Sequence, residues 1–134
     1  MATGSDVRAQ IDLFLQSPAY AVVGASEDPR KYGHKVFATY LRHGRTAYPV
    51  HPTATGILGH PAYPSLAALP EPVEAVSIIT PPAVTEGVVE EAIAAGVRRL
   101  WMQPGAESPR AVERARSAGL SVISGGPCLL VELG

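Results

Sequence analysis

The chain has 134 residues, 46% apolar and 17% charged, with a formal net charge of −1. That length suits one domain with a buried core, the composition is too apolar for disorder, and the small net charge argues against a general nucleic-acid binder. One cysteine, Cys128, leaves no internal disulfide framework and fits a reducing cytoplasm; no apolar run reaches the length of a membrane span, and Met1–Asp6 lack the basic start and apolar stretch of a signal peptide.

In chain order, Ser5 reads as the cap of a first helix, with Val7, Ile11, Phe14 and Leu15 at helical spacing and Ser17-Pro18 as its end. This helix lies outside the repeating pattern that follows and is expected to cover an edge or face of a sheet. Tyr20–Val23 is an apolar run stopped by Gly24, the pattern of a buried strand. A polar loop leads to a helix over Gly33–His43 that buries Val36, Phe37, Tyr40 and Leu41 and ends at Gly44. Thr46–Val50 is a second strand, running into His51-Pro52, and 53–64 reads as a loop. Ser65–Pro70 has room only for a short helix. Ala75–Ile79 is a third strand, apolar except for Ser77, as expected of a strand covered on both faces.

Thr80 with Pro81 predicts a helix start, Thr80 as N-cap and Pro81 as first helical residue; the helix buries Val84, Val88, Val89, Ala92 and Ile93 and stops at Gly96. Arg98–Met102 is a fourth strand. Gln103–Ala106 is a loop, and Ser108-Pro109 starts a helix that runs to Ala118. Leu120–Ser124 is a fifth strand, and Gly125-Gly126-Pro127 turns the chain into a short tail, Cys128–Leu133. Strands alternate with helices throughout. The fold class is therefore α/β: a Rossmann-like, doubly wound parallel sheet of about five strands with helices on both faces, expected in the order 3-2-1-4-5. The loops after the strands' carboxyl ends should form the site.

The first of these loops concentrates charge. Residues 27–45 hold five basic and two acidic residues, while the remainder of the chain is net acidic. A basic patch on an acidic body suits a small anionic ligand, although a solvated helix face has the same composition. Lys35 stands near a helix start, where a cation opposes the macrodipole; a bound anion would resolve the conflict. Ser26 follows the strand-ending glycine, in position either to cap a turn or to meet a phosphate. The dinucleotide fingerprint Gly-x-Gly-x-x-Gly is absent, because Gly24 is followed by Ala25-Ser26 and the next glycine is Gly33. The second strand ends in Val50-His51-Pro52, without the carboxylate that holds the ribose hydroxyls of NAD. Both departures point to an adenine nucleotide with a phosphorylated ribose. The four histidines and the cysteine show no metal-ligand spacing, and no Gly-x-Ser-x-Gly elbow is present. Trp101 reads as core. Cys128 reads as a small buried residue, although its position past a strand's carboxyl end also offers a thiol to the ligand side.

Val22-Val23-Gly24-Ala25-Ser26, Val50-His51-Pro52, Tyr63-Pro64-Ser65-Leu66 and Trp101-Met102-Gln103-x-Gly105, in this order, resemble the CoA-binding domain family over roughly Pro18 to Glu132. That family includes small stand-alone proteins and is similar to the N-terminal domain of the succinyl-CoA synthetase α subunit. The resemblance implies a Rossmann-like fold holding coenzyme A along the carboxyl edge of the sheet. It implies Gly24, Ala25 and Ser26 around the phosphates and Lys35, Arg30 and Lys31 as neutralising cations. Val50, His51 and Pro52 would flank the adenosine, Ile79, Thr80 and Pro81 would lie along the ligand, and Gln103, Pro104 and Gly105 would sit near the pantetheine arm. Relatives often carry a polar or basic residue where Thr80-Pro81-Pro82 stand, and a charged pair where Gly125-Gly126-Pro127 stand. The expectation is a cytoplasmic binding module for CoA or acyl-CoA, over residues 1–134, with no membrane or nucleic-acid partner. The synthetase needs a phosphorylated histidine in a second domain and a nucleotide-binding subunit, and this chain has room for neither. A small NAD(P)-binding enzyme or redox sensor and a ligand-free interaction module are the alternatives.

Overall fold

A computed structural model describes residues 4–133. The elements are α1 (Gly4–Leu15), β1 (Tyr20–Val23), α2 (Tyr32–Arg42), β2 (Ala47–Val50), β3 (Gly56–Ile57), β4 (His60–Pro61), β5 (Ala75–Ile78), α3 (Pro82–Ala94), β6 (Arg99–Met102), α4 (Pro109–Ser117), β7 (Ser121–Ile123) and α5 (Leu129–Glu132), with a single 3₁₀ turn at Leu66–Ala68. Ser5 falls inside α1, not at its cap, and its side chain is outside the described residues.

Five strands form one parallel sheet in the order β2-β1-β5-β6-β7. Successive side chains of a strand point to opposite faces, and both faces are covered. Ala21, Val23, Val76, Ile78, Leu100 and Met102 pack under α3 and α4. Tyr20, Val22, Trp101 and Ile123 pack under α1, α2 and α5. On that second face the Phe14 ring of α1 meets Trp101 edge-on at 5.2 Å, and Tyr20 stacks on Tyr40 at 4.5 Å. Ser77, the polar residue in an apolar strand, is satisfied by the buried Tyr40 hydroxyl at 2.7 Å.

The Rossmann-like, doubly wound class is as expected, but the strand order is corrected. Counting only the five strands of this sheet, it runs 2-1-3-4-5, not 3-2-1-4-5. The third strand, β5, pairs with β1 on the side away from β2. The physical reason lies in β2. Pro49 turns its backbone to the outer edge, where its carbonyl accepts the Tyr63 N–H (3.0 Å). Proline has no N–H to return, so this side of β2 cannot carry a full ladder and β2 must be an edge strand. The returning segment at Tyr63 covers that edge with one bridge to Val50.

Four smaller expectations also change. The stretch 53–64 holds a two-residue hairpin, β3–β4, whose turn residues Leu58 and Gly59 both have positive φ (51° and 79°), the signature of a type I′ turn. Helix α3 starts one residue later than predicted, with Pro81 at the cap and Pro82 first; Thr80 instead bonds Thr85 hydroxyl to hydroxyl at 2.7 Å. Val84 is 51% exposed, because the buried stripe of α3 runs through Thr85, Val88, Val89 and Ala92, and position 84 falls on its flank. The tail contains the single-turn helix α5, which places Leu129 in the core.

Candidate functional site

Four strand ends meet at the carboxyl edge. The Gly24 N–H donates to Val50 O (3.1 Å), Ile79 N–H to Val23 O (2.8 Å), and Gln103 N–H to Ile78 O (3.1 Å). The ladder therefore brings together Gly24, Val50, Ile79 and Gln103, four of the residues singled out in the sequence. Gly24 has φ +97°, and a Cβ there would lie 1.9 Å from Ile79 O; a Cβ at Gly33 would lie 1.9 Å from Gly24 O. The two glycines thus allow the start of α2 to rest directly on the turn after β1. Ala25 is buried in that turn. No side chain caps α2, since Lys31 occupies the cap position without a capping bond. The first-turn N–H groups of α2, with the positive end of the helix dipole, lack the side-chain acceptor that usually serves them.

The loop from Ser26 to Lys31 is self-bonded. Ser26 Oγ accepts the Asp28 N–H (3.1 Å), and the Ser26 carbonyl accepts His34 Nδ1–H (2.9 Å). Ser26 therefore caps a turn, and its own hydroxyl proton remains available. Arg30 grips Asp28 through Nε and Nη2 at 3.0 and 2.9 Å, holding that carboxyl below its usual range. Its charge is thereby partnered inside its own loop. Lys31 and Lys35 are exposed and make no ion pair among the described residues. Lys35 lines a groove of about 420 Å³ with Pro29, His34, Thr39, Arg42 and Leu130, a lining without a carboxylate.

After β2, His51 Nδ1 accepts the N–H groups of Thr53 (3.1 Å) and Ala54 (2.9 Å), so its ring closes its own loop and carries its proton on Nε2. Pro52 and Pro81 are exposed at their loop tips, and Thr80 is half-buried. Gly105, at φ +94°, turns the loop after β6 and donates its N–H to Glu107 (2.7 Å).

Gln103 is fully buried, with Oε1 accepting the Tyr32 O–H (3.2 Å) and the Leu129 N–H (2.9 Å). The Tyr32 hydroxyl is also hydrogen-bonded to Cys128 Sγ. Burial, and then the bond to Cys128, push the Tyr32 pKa up, so the phenol keeps its proton. Cys128 is half-buried at the start of α5, and not the core residue that composition suggested. Tyr32 was missed in the sequence. Its partners lie 71 and 96 positions away, and only its place before Gly33, at the start of the helix that rests on Gly24, marked it.

A parallel, doubly covered sheet with a glycine turn under a helix start defines a Rossmann-like α/β domain. The CoA binding domain family matches residues 18–134, and the chain belongs to that family. It is 31% identical to the uncharacterized protein YneT of Bacillus subtilis over 117 residues, 87% of each chain. It is 30% identical to the ADP-forming acetate–CoA ligase I of Archaeoglobus fulgidus over 81% of this chain, but that match spans only 17% of the ligase. Among solved structures, a hypothetical protein from Pyrococcus horikoshii OT3 is 31% identical, with a TM-score of 0.88 over 98% of this chain and 89% of that one. No helix among the described residues is long and apolar enough to cross a membrane.

Proposed function

We propose that this chain binds coenzyme A or an acyl-CoA along the carboxyl edge of its sheet, as a carrier or sensor of the coenzyme and without transforming it. The observation that carries this is the family match over residues 18–134 combined with the Gly24–Gly33 cradle, where an uncapped helix start opens on the turn after β1. In this reading the first-turn N–H groups of α2, Ala25 and the Ser26 hydroxyl meet the phosphates. Lys35 and Lys31 supply charge, and Arg30 does so only by leaving Asp28. Val50, His51 and Pro52 flank the adenosine through packing and the Nε2–H of His51. Ile79, Thr80 and Pro81 line the path of the ligand, and Gln103 and Gly105 receive the pantetheine arm. The site offers donors and cations, which hold a ligand, and its two histidines, His34 and His51, are already engaged with the backbone of their own loops. Native mass spectrometry of the purified protein tests the proposal: retained CoA or acyl-CoA is expected. Calorimetry showing no affinity for either would overturn it.

A further inference from the structure

Three side chains from distant stretches converge behind the edge: Tyr32, Gln103 and Cys128. The orientation of the Gln103 amide is fixed, because Leu129 N–H can only donate and therefore faces Oε1. The Tyr32 proton goes to the same Oε1. With that proton committed, the thiol is the donor in the Cys128–Tyr32 bond. Gln103 Nε2 sits on the same pinned, fully buried amide and has no partner among the described residues. That buried donor, on the amide whose Oε1 holds the Tyr32 hydroxyl and through it the half-buried thiol, lacks an acceptor among the described residues, and a carbonyl oxygen is the group that would satisfy it.

We propose that Cys128 is a thiol–disulfide exchange site for the disulfide of an amide-bearing aliphatic thiol, with Tyr32 as the positioning residue that holds the thiolate and Gln103 Nε2 as the donor to the ligand's amide carbonyl. The exchange depends on the coenzyme A reading only for the identity of that thiol. When Cys128 loses its proton, it no longer donates, and the Tyr32 O–H turns from Gln103 Oε1 to the sulfur anion. The tyrosine does not compete for ionisation, since burial holds its proton in place. The thiolate attacks one sulfur of the ligand disulfide. The ligand's S–S bond breaks as the Cys128–S bond forms, and the departing thiolate takes a proton from water. Cys128 is oxidised to the mixed disulfide and the other half of the ligand is reduced to a free thiol. The pantetheine arm of CoA and the tripeptide glutathione share this amide-plus-thiol chemistry.

The test exposes reduced protein to coenzyme A disulfide or to glutathione disulfide and follows intact mass with time. One adduct is expected on the wild type, none on Cys128→Ser, with release by dithiothreitol. Faster exchange with coenzyme A disulfide assigns the ligand to the coenzyme; faster exchange with glutathione disulfide assigns it to the peptide thiol, and either supports the site. Tyr32→Phe should slow the limiting rate at saturating disulfide at least threefold without a matching rise in the half-saturating concentration, a split that a loosened fold does not produce. Labelling of Cys128 only after denaturation, or a Tyr32→Phe limiting rate equal to the wild type, overturns the proposal. Calorimetry with reduced CoA separates the two readings: binding without an adduct leaves the coenzyme reading standing and this one refuted, and a Tyr32-dependent adduct without CoA binding does the reverse.

Discussion

Three glycines at or near the carboxyl edge carry different constraints, and substitution by alanine should rank them. At Gly24 a Cβ meets Ile79 O at 1.9 Å in a backbone with φ +97°; clash and strain together should cost roughly 2–4 kcal/mol in urea unfolding. At Gly33 the backbone is helical and only the clash with Gly24 O applies, so Gly33→Ala should cost roughly 1–3 kcal/mol, partly offset by alanine's better helix propensity. At Gly105 the space is open and only the positive φ counts, for about 1 kcal/mol. Equal losses at Gly24 and Gly105 would show that the approach of Ile79 yields freely. Among the cations, Lys35→Ala should weaken CoA binding by about 1–2 kcal/mol in calorimetry, the scale of a charge-assisted contact. Arg30→Ala should cost less, since Arg30 already serves Asp28. If Lys35 holds the ribose phosphate, dephospho-CoA should lose less on the same mutation. Unchanged CoA affinity in Lys35→Ala would remove this lysine from the site.

At the scale of elements, the helix starts were legible where a side chain caps and less so where none does. Ser108 was read as a cap. Its Oγ accepts the Ala111 N–H (3.3 Å), and its hydroxyl donates to Glu86 on α3 (2.8 Å), tying the two helices of one face together. Ser108→Ala should therefore destabilise by about 1–2 kcal/mol, as cap losses do; a Ser108→Ala midpoint matching the wild type would leave the cap without energetic weight. At Thr80-Pro81-Pro82 two prolines compete for the first helical position, and the second holds it because Thr80 bonds Thr85. The strand order was misread although Pro49 marked it: a proline in an apparent inner strand signals an edge, which argues against a third strand beyond β2. The β3–β4 hairpin was harder, because its turn is Leu58-Gly59 and leucine is a poor marker for positive φ.

At the scale of the molecule, apolar runs and glycine stops were enough to read five strands, and the burial of Val36, Phe37 and Tyr40 follows from helical spacing alone. Contacts between distant loops were not legible, because nothing in local sequence marks Tyr32 as the neighbour of Cys128. The class of ligand was legible in outline, in the missing dinucleotide fingerprint and the missing carboxylate after the second strand, but the way several loops act together on it was not. The turn after β1 opens toward an uncapped helix start flanked by Lys31 and Lys35, while the loop after β2 has no carboxylate and His51 is bonded to Thr53 and Ala54. A ligand with many phosphate charges gains from the first feature. A ligand that relies on a carboxylate for its ribose hydroxyls loses from the second. CoA should therefore bind more tightly than NAD, and its affinity should fall as salt rises, because the free lysines are exposed and screened. In a thermal-shift titration, CoA at about a hundred times its dissociation constant should add about 2.7 kcal/mol of apparent stability, and NAD at the same concentration distinctly less. A larger shift with NAD than with CoA would transfer the site to a nicotinamide dinucleotide and leave the basic patch as a solvated helix face.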